Sequence, residues 1–143
     1  MAGLENIESI ESAIEAKEQE VEESDNKLEE VNERLQNIES AISKLSEDQE
    51  VAQSVEKNQE DAEAQKEEVV QQREQLASEL ESMESEVLEI ESANEQSASV
   101  IDELSGFGED VGEAAGIIND RRQAIENSKS RINELKSRLQ NQG

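Results

Sequence analysis

The chain contains no cysteine, proline, histidine, tryptophan or tyrosine, and Phe107 is its one aromatic residue. Without cysteine there is neither disulfide nor thiol chemistry, which leaves the redox compartment open. Without proline no long helix need be broken. An apolar share of 32% over 143 residues, almost free of aromatic rings, excludes a wide globular core. No stretch approaches the ~18 consecutive apolar residues of a membrane span. The opening segment, residues 1–11, has neither a basic region nor a continuous apolar run, so no signal peptide is expected. The default location is the cytoplasm, with signal-less export or a virion as the alternatives. What the chain does contain is Glu, Ser, Gln and aliphatic residues, the bias of long helices with a narrow apolar seam.

The net charge of −25 is unevenly placed. Residues 1–118 carry seven basic and 35 acidic side chains, a net of −28, whereas residues 119–143 carry six basic and three acidic ones, a net of +3. An acidic surface repels nucleic acid phosphates and anionic lipid over most of its length, so neither nucleic-acid binding nor membrane insertion is expected. Acid is supplied by 32 Glu and only six Asp, which points to helix propensity as its cause. Adaptation to a salty cytoplasm is the competing explanation.

Apolar residues recur at seven-residue intervals from Ile7 through Ile14, Val21, Leu28, Leu35 and Ile42, with a companion column three residues on at Ile10, Lys17, Ser24, Val31, Ile38 and Leu45. These are the a and d positions of a coiled coil. They predict helix 1 over about 4–45. The phase then slips, and Ser46-Glu47-Asp48-Gln49 has the spacing of a capping box, compatible with a helix–helix turn or with a stutter inside one continuous helix. A second phase runs from Val55 through Ala62, Val69, Leu76, Met83, Ile90, Ser97 and Leu104, with companions at Leu80, Val87, Asn94 and Ile101, predicting helix 2 over about 46–105. A glycine turn follows at 105–110, and Asp110 and Glu113 have the spacing of a second capping box. Helix 3, about 110–141, repeats at Val111, Ile118, Ile125, Ile132 and Leu139, with Ala114, Arg121, Ser128 and Leu135 alongside.

Folding helices 2 and 3 about the turn, so that facing residues sum to 215, gives ten layers, of which two set polar against polar and two more set Ser against an aliphatic. It also sets Arg122, Lys129, Arg131 and Arg138 opposite Glu91, Glu84, Glu86 and Glu79. Helix 1 fits helix 2 with partners summing to 97, although a one-heptad shift also works. The expected fold is therefore all-α: a single domain over residues 1–143, an elongated antiparallel coiled coil built of long helices, three-stranded in its middle and two-stranded at both ends. Helix 2 sets a rod of about 90 Å at 1.5 Å per residue. Gln59, Lys66 and Arg73 thin the seam in the 55–73 stretch, which predicts support there from a second subunit or a partner.

No catalytic constellation emerges. Serines sit among glutamates on helical faces, with nothing to desolvate or orient them. Paired carboxylates abound, yet a rod offers no dry pocket to split their pKa values. Helical spacing does not supply a calcium loop, so neither a metal nor another cofactor is expected. Gly108, Gly112 and Gly116 form a small-x-x-x-small series, read as a turn with close helix packing or as a docking surface for another protein. Asn94 at an a position fixes register or, amid small neighbours, admits a partner helix. With the basic side chains of the last helix, these residues make the candidate partner-binding set: Gly108, Gly112, Gly116, Asn94, Arg121, Arg122, Lys129 and Lys136.

The function this leaves is non-enzymatic: a structural or adaptor coiled coil that assembles with itself or with protein partners, as a homo-oligomer or a hetero-complex. Two alternatives differ in class. One is a helical targeting partner in a bacterial secretion pathway, against which stands the lack of the Trp-x-Gly turn of small secreted hairpins. The other is a viral assembly scaffold, because an acidic helical body with a basic last helix is similar in general make-up to capsid scaffolding proteins. That likeness is one of composition and covers no motif.

Overall fold

The computed structural model describes residues 7–141, so Leu4, the expected start of helix 1, and Gln142, expected to face Arg73, lie outside the described residues. Three helices follow one another, α1 over Ile7–Lys44, α2 over Gln49–Gly106 and α3 over Gly112–Gln140, each packing against the other two. The fold is an all-α three-helix bundle, with no strand among the described residues. The 58 residues of α2 give it a length of about 87 Å.

The heptad columns supply most of the buried side chains; in α2 the exceptions are Ala98, buried outside them, and Leu104, exposed within them. In α1 the buried side chains are Ile10, Ile14, Val21, Ser24, Leu28 and Val31; in α3 they are Ile118, Ile125, Ser128, Ile132, Leu135 and Leu139. One apolar cluster joins all three helices through Ile14, Val21, Leu80, Met83, Ile132 and Leu139, among others. Beyond it Leu28, Val31 and Val69 form a second cluster between α1 and α2 alone. A fully buried Leu or Ile contributes about 1.5–3 kcal/mol relative to exposure, so most of the stability resides in the three-stranded middle.

The α1–α2 connection is a turn at 45–48 rather than a stutter. Asp48, not Ser46, caps α2: its carboxylate accepts a hydrogen bond from the Val51 amide at 3.2 Å, while its own amide donates to the Leu45 carbonyl at 2.9 Å. The expected Ser46–Gln49 box is thus displaced by two residues, because Asp48 already supplies the oxygen that the free amides of the first turn need.

The second turn stops α2 through a Schellman motif. The Gly108 amide donates to the Ser105 carbonyl and the Glu109 amide to the Leu104 carbonyl, with Gly108 at φ 85°, a conformation that costs glycine nothing. On the far side, Asp110 accepts from the Gly112 amide at 3.2 Å, a local Asx turn, instead of reaching Glu113 as a capping box would. Val111 is left as the α3 N-cap without a side-chain hydrogen bond.

Candidate functional site

The ion pairs show which column faces which helix. On α3, Lys129 and Lys136 of the e column pair with Glu91 at 2.5 Å and Glu84 at 3.3 Å on α2. Arg131 and Arg138 of the g column pair instead with Glu18 at 2.5 Å and Asp25 at 2.8 Å on α1. On α2, the g-column residue Glu79 pairs with Lys17 of α1. In α2 and α3 alike, then, e faces the other hairpin strand and g faces α1.

This geometry corrects the four pairs expected from the sequence. Arg131 and Arg138 do not meet Glu86 and Glu79, because α1 lies over the g columns and supplies nearer carboxylates. Arg122 takes Glu95, through Nε at 2.8 Å and Nη2 at 2.9 Å, rather than Glu91. Lys129 takes Glu91 rather than Glu84. The displacement has one cause: side chains on a helix lean toward its N-terminus, so in an antiparallel pair a cation on α3 leans toward the turn and meets a carboxylate leaning back from it. The layers themselves keep the expected alignment. Asn94, expected opposite Arg121, donates from Nδ2 to the Ile118 carbonyl at 3.2 Å, one turn before it. Arg73 donates to Ser24 Oγ at 3.2 Å, two residues that sum to 97.

Those pairs shift titration in the direction their geometry requires. Hydrogen bonding to Arg131 holds Glu18 below the usual carboxylate range, and Arg122 does the same for Glu95. The bond to Glu91 raises Lys129. Burial pulls Lys17 down, but hydrogen bonds and attraction from Glu20 and Glu79 outweigh it, and the group is raised.

Where α3 ends, the three helices meet around a side chain that sequence reasoning treated as a defect. Arg73 is fully buried. Its Nη1 donates to Asp25 at 2.7 Å, and its Nη2 donates to the backbone carbonyl of Arg138 at 2.7 Å. Arg138 in turn donates to the second oxygen of Asp25, through Nε at 3.1 Å and Nη2 at 2.8 Å. One carboxylate thus bridges two guanidinium groups, and one of those groups caps the C-terminus of α3, where free carbonyls and the helix dipole favour a cation. The support expected from a second subunit comes, at Arg73, from the chain itself. Nothing in the heptad pattern of α2 announces this, since the partners come from two other helices.

The predicted site residues do not gather in one place. Arg122, Lys129 and Lys136 are bound in pairs along the α2–α3 interface, and Arg121 has no ion pair among the described residues. Asn94 is buried at the seam, with Oδ1 unpaired. Gly112 and Gly116 lie on the outer face of α3: a Cβ at Gly116 would meet nothing within 4 Å, and one at Gly112 only Asp110 Oδ1 at 3.5 Å. The close helix packing expected of the glycine series is therefore absent from the chain's own fold, because positions 112 and 116 fall outside the a and d columns.

No protein-family model, curated protein or solved structure matches the chain. Among the described residues there is no helix long and apolar enough to cross a membrane, and no group of three or more acidic side chains placed to hold a metal ion. What sequence reasoning missed lies at the tip of the α2·α3 hairpin. Val100, Phe107 and Ile117 are exposed there, Phe107 to 83%, and Leu104, which the seven-residue column placed in the seam, is exposed as well. The signal for Val100 and Phe107 was a second apolar column, Ala93, Val100 and Phe107, running beside the seam at seven-residue spacing.

Proposed function

We propose that the chain is a non-enzymatic structural or adaptor rod that engages other proteins through side chains its own core does not use. The observation that carries this reading is the tip of the α2·α3 hairpin, where the one aromatic residue and three large aliphatics stay in water while the middle of the rod buries nearly every apolar position. Contiguous exposed apolar side chains mark surfaces at which a protein meets another protein, a membrane or a ligand. A rigid bundle stiffened by cross-helix ion pairs suits a spacer that presents such a surface at one end. Self-assembly is the less favoured form, since a net charge of −25 opposes close approach of two copies.

The test is capture in the source cell with a photoreactive residue placed at exposed positions along the rod, Val51, Leu88, Val100 and Phe107. A partner protein crosslinked from at least one of them is expected. Absence of any crosslinked protein from all four, with the chain folded and expressed, would count against an adaptor role altogether.

A further inference from the structure

We propose that the α1-facing surface of the α2·α3 tip is a seat for a basic amphipathic helix of another protein. This rests on the adaptor reading and specifies its partner. In the three-stranded middle, the g columns of α2 and α3 face α1, as the Glu79–Lys17, Arg131–Glu18 and Arg138–Asp25 pairs show. Followed toward the tip, the same two columns turn apolar. On α2, Glu79 and Glu86 give way to Ala93 and Val100, with Phe107 following as its C-cap; on α3, Arg138 and Arg131 give way to Ala124 and Ile117. The first described turn of α1 lies level with Ile90, where Ile7 and Ala93 pack against the common core. Past that level Val100 is 54%, Phe107 83% and Ile117 47% exposed. The face that α1 covers in the middle therefore continues, with exposed apolar side chains, for about 11 Å from Val100 to Phe107 at 1.5 Å per residue. That is room for about two turns of a partner helix.

Charge selects the occupant. Residues 98–120 hold six acidic side chains and no Lys or Arg, and the whole stretch 74–120 has no basic residue. A helix seated between these strands meets acid on both flanks, so the complementary ligand carries an apolar stripe bordered by Lys or Arg. A second copy does not meet that description. Its one basic helix is α3, and five of the six cations there are already held by Glu95, Glu91, Glu18, Glu84 and Asp25.

The experiment measures binding of three peptides to the full chain by fluorescence anisotropy. The probe copies residues Ile7–Leu28, whose apolar column already fits these grooves, with Glu8, Glu11, Glu15, Glu18, Glu22 and Asp25 replaced by Lys. The second peptide is the unmodified segment, and the third is the basic probe with its isoleucines, Val21 and Leu28 replaced by Ser. The basic probe is expected to bind at least tenfold tighter than either control. It should lose tenfold or more on the double variant Val100→Ser/Ile117→Ser, whose exposed sites leave the helical circular dichroism unchanged. Failure of the probe to bind overturns the proposal. So does equal binding of the Ser-striped peptide, which signals adsorption by charge alone, or unchanged affinity in the double variant. A dimer of the free chain in sedimentation, lost on Val100→Ser/Ile117→Ser, overturns it in favour of a second copy. If cellular crosslinks form only from Val51 or Leu88, the adaptor reading survives and this seat does not.

Discussion

At one end of the rod α1 and α2 run on past the last turn of α3; at the other, α2 and α3 run on past the first described turn of α1. Among the described residues both ends are two-stranded, yet they spend their apolar residues differently. Along the α1·α2 end Leu35, Ile38, Ile42, Leu45 and Val55 are half-buried in the seam, and Val51 is the large apolar side chain left exposed. There the loss of the third helix leaves an open cavity of about 760 Å³ whose wall mixes Leu28 and Leu35 with Glu29, Glu33, Lys66 and Arg138. The α2·α3 tip instead carries its apolar side chains on the columns that α1 would cover. In the three-stranded middle the g columns of α2 and α3 are charged and pair with α1, as Glu79, Arg131 and Arg138 show. At the tip the same columns are apolar and exposed at Val100 and Ile117, and that is what sets it apart from the α1·α2 end.

The comparison breaks most readily by truncating one residue type in the two environments. Leu80→Ala, in the three-stranded middle, is expected to cost about 3 kcal/mol, whereas Leu104→Ala at the tip costs less than about 1 kcal/mol. Denaturant melts of the two variants decide it, and equal losses would mean that the tip is packed as well as the middle.

The junction comes next. Arg73→Ala removes the cap on α3 and one of the two cations on Asp25, with an expected loss of about 2–3 kcal/mol. Arg73→Met, which keeps the volume, should recover part of it. Hydrogen exchange in residues 132–141 should quicken in both variants, because neither supplies donors to the last carbonyls of α3; unchanged exchange there would remove Arg73 from that role.

Salt sharpens the electrostatic side. With 38 acidic side chains against 13 basic ones, repulsion dominates beyond contact distance and is screened over about 8–10 Å at physiological ionic strength. Stability should rise by about 1 kcal/mol between low and high salt, and a flat response would mean that the pairs and the repulsion cancel.

The smallest expected effect is in pH. Glu18 is held below its ordinary value, so its contribution is present above the unfolded carboxylate pKa and is lost as pH falls through the lower folded one. Lys129 is raised, so its contribution is complete below the ordinary lysine value and is lost as pH climbs through the higher folded one. Glu18→Gln should remove about 0.5 kcal/mol at neutral pH, in keeping with a half-exposed pair, and should flatten the acid limb of stability relative to the parent. An unchanged acid limb would assign it to other carboxylates.

The heptad columns made the seam legible, because burial in long helices follows a fixed period, and the sums of 215 and 97 located facing layers without any coordinates. Ion-pair partners were not legible at that level. They depend on the lean of each side chain and on α1 lying over the g columns of both other helices, which a two-helix alignment omits. Arg73 read as a flaw for the same reason: its meaning lies in Asp25 and the Arg138 carbonyl, residues far apart in sequence. The glycines misled in the opposite direction, since spacing suggested packing at Gly112 and Gly116 while their heptad positions placed them outside the seam. At the tip, the column Ala93, Val100 and Phe107 was visible in the sequence, but its significance required knowing which columns face α1.

The central claim is that one chain closes the three-stranded middle and that α1 belongs to it. Because the protein has no cysteine of its own, pairs introduced at Ile14, Met83 and Ile132 test each of the three interfaces separately. All three pairs, Ile14→Cys/Met83→Cys, Met83→Cys/Ile132→Cys and Ile14→Cys/Ile132→Cys, should form disulfides within a single chain under mild oxidation. An Ile14–Ile132 disulfide that forms only between chains, or not at all while the other two form, would contradict the bundle described here.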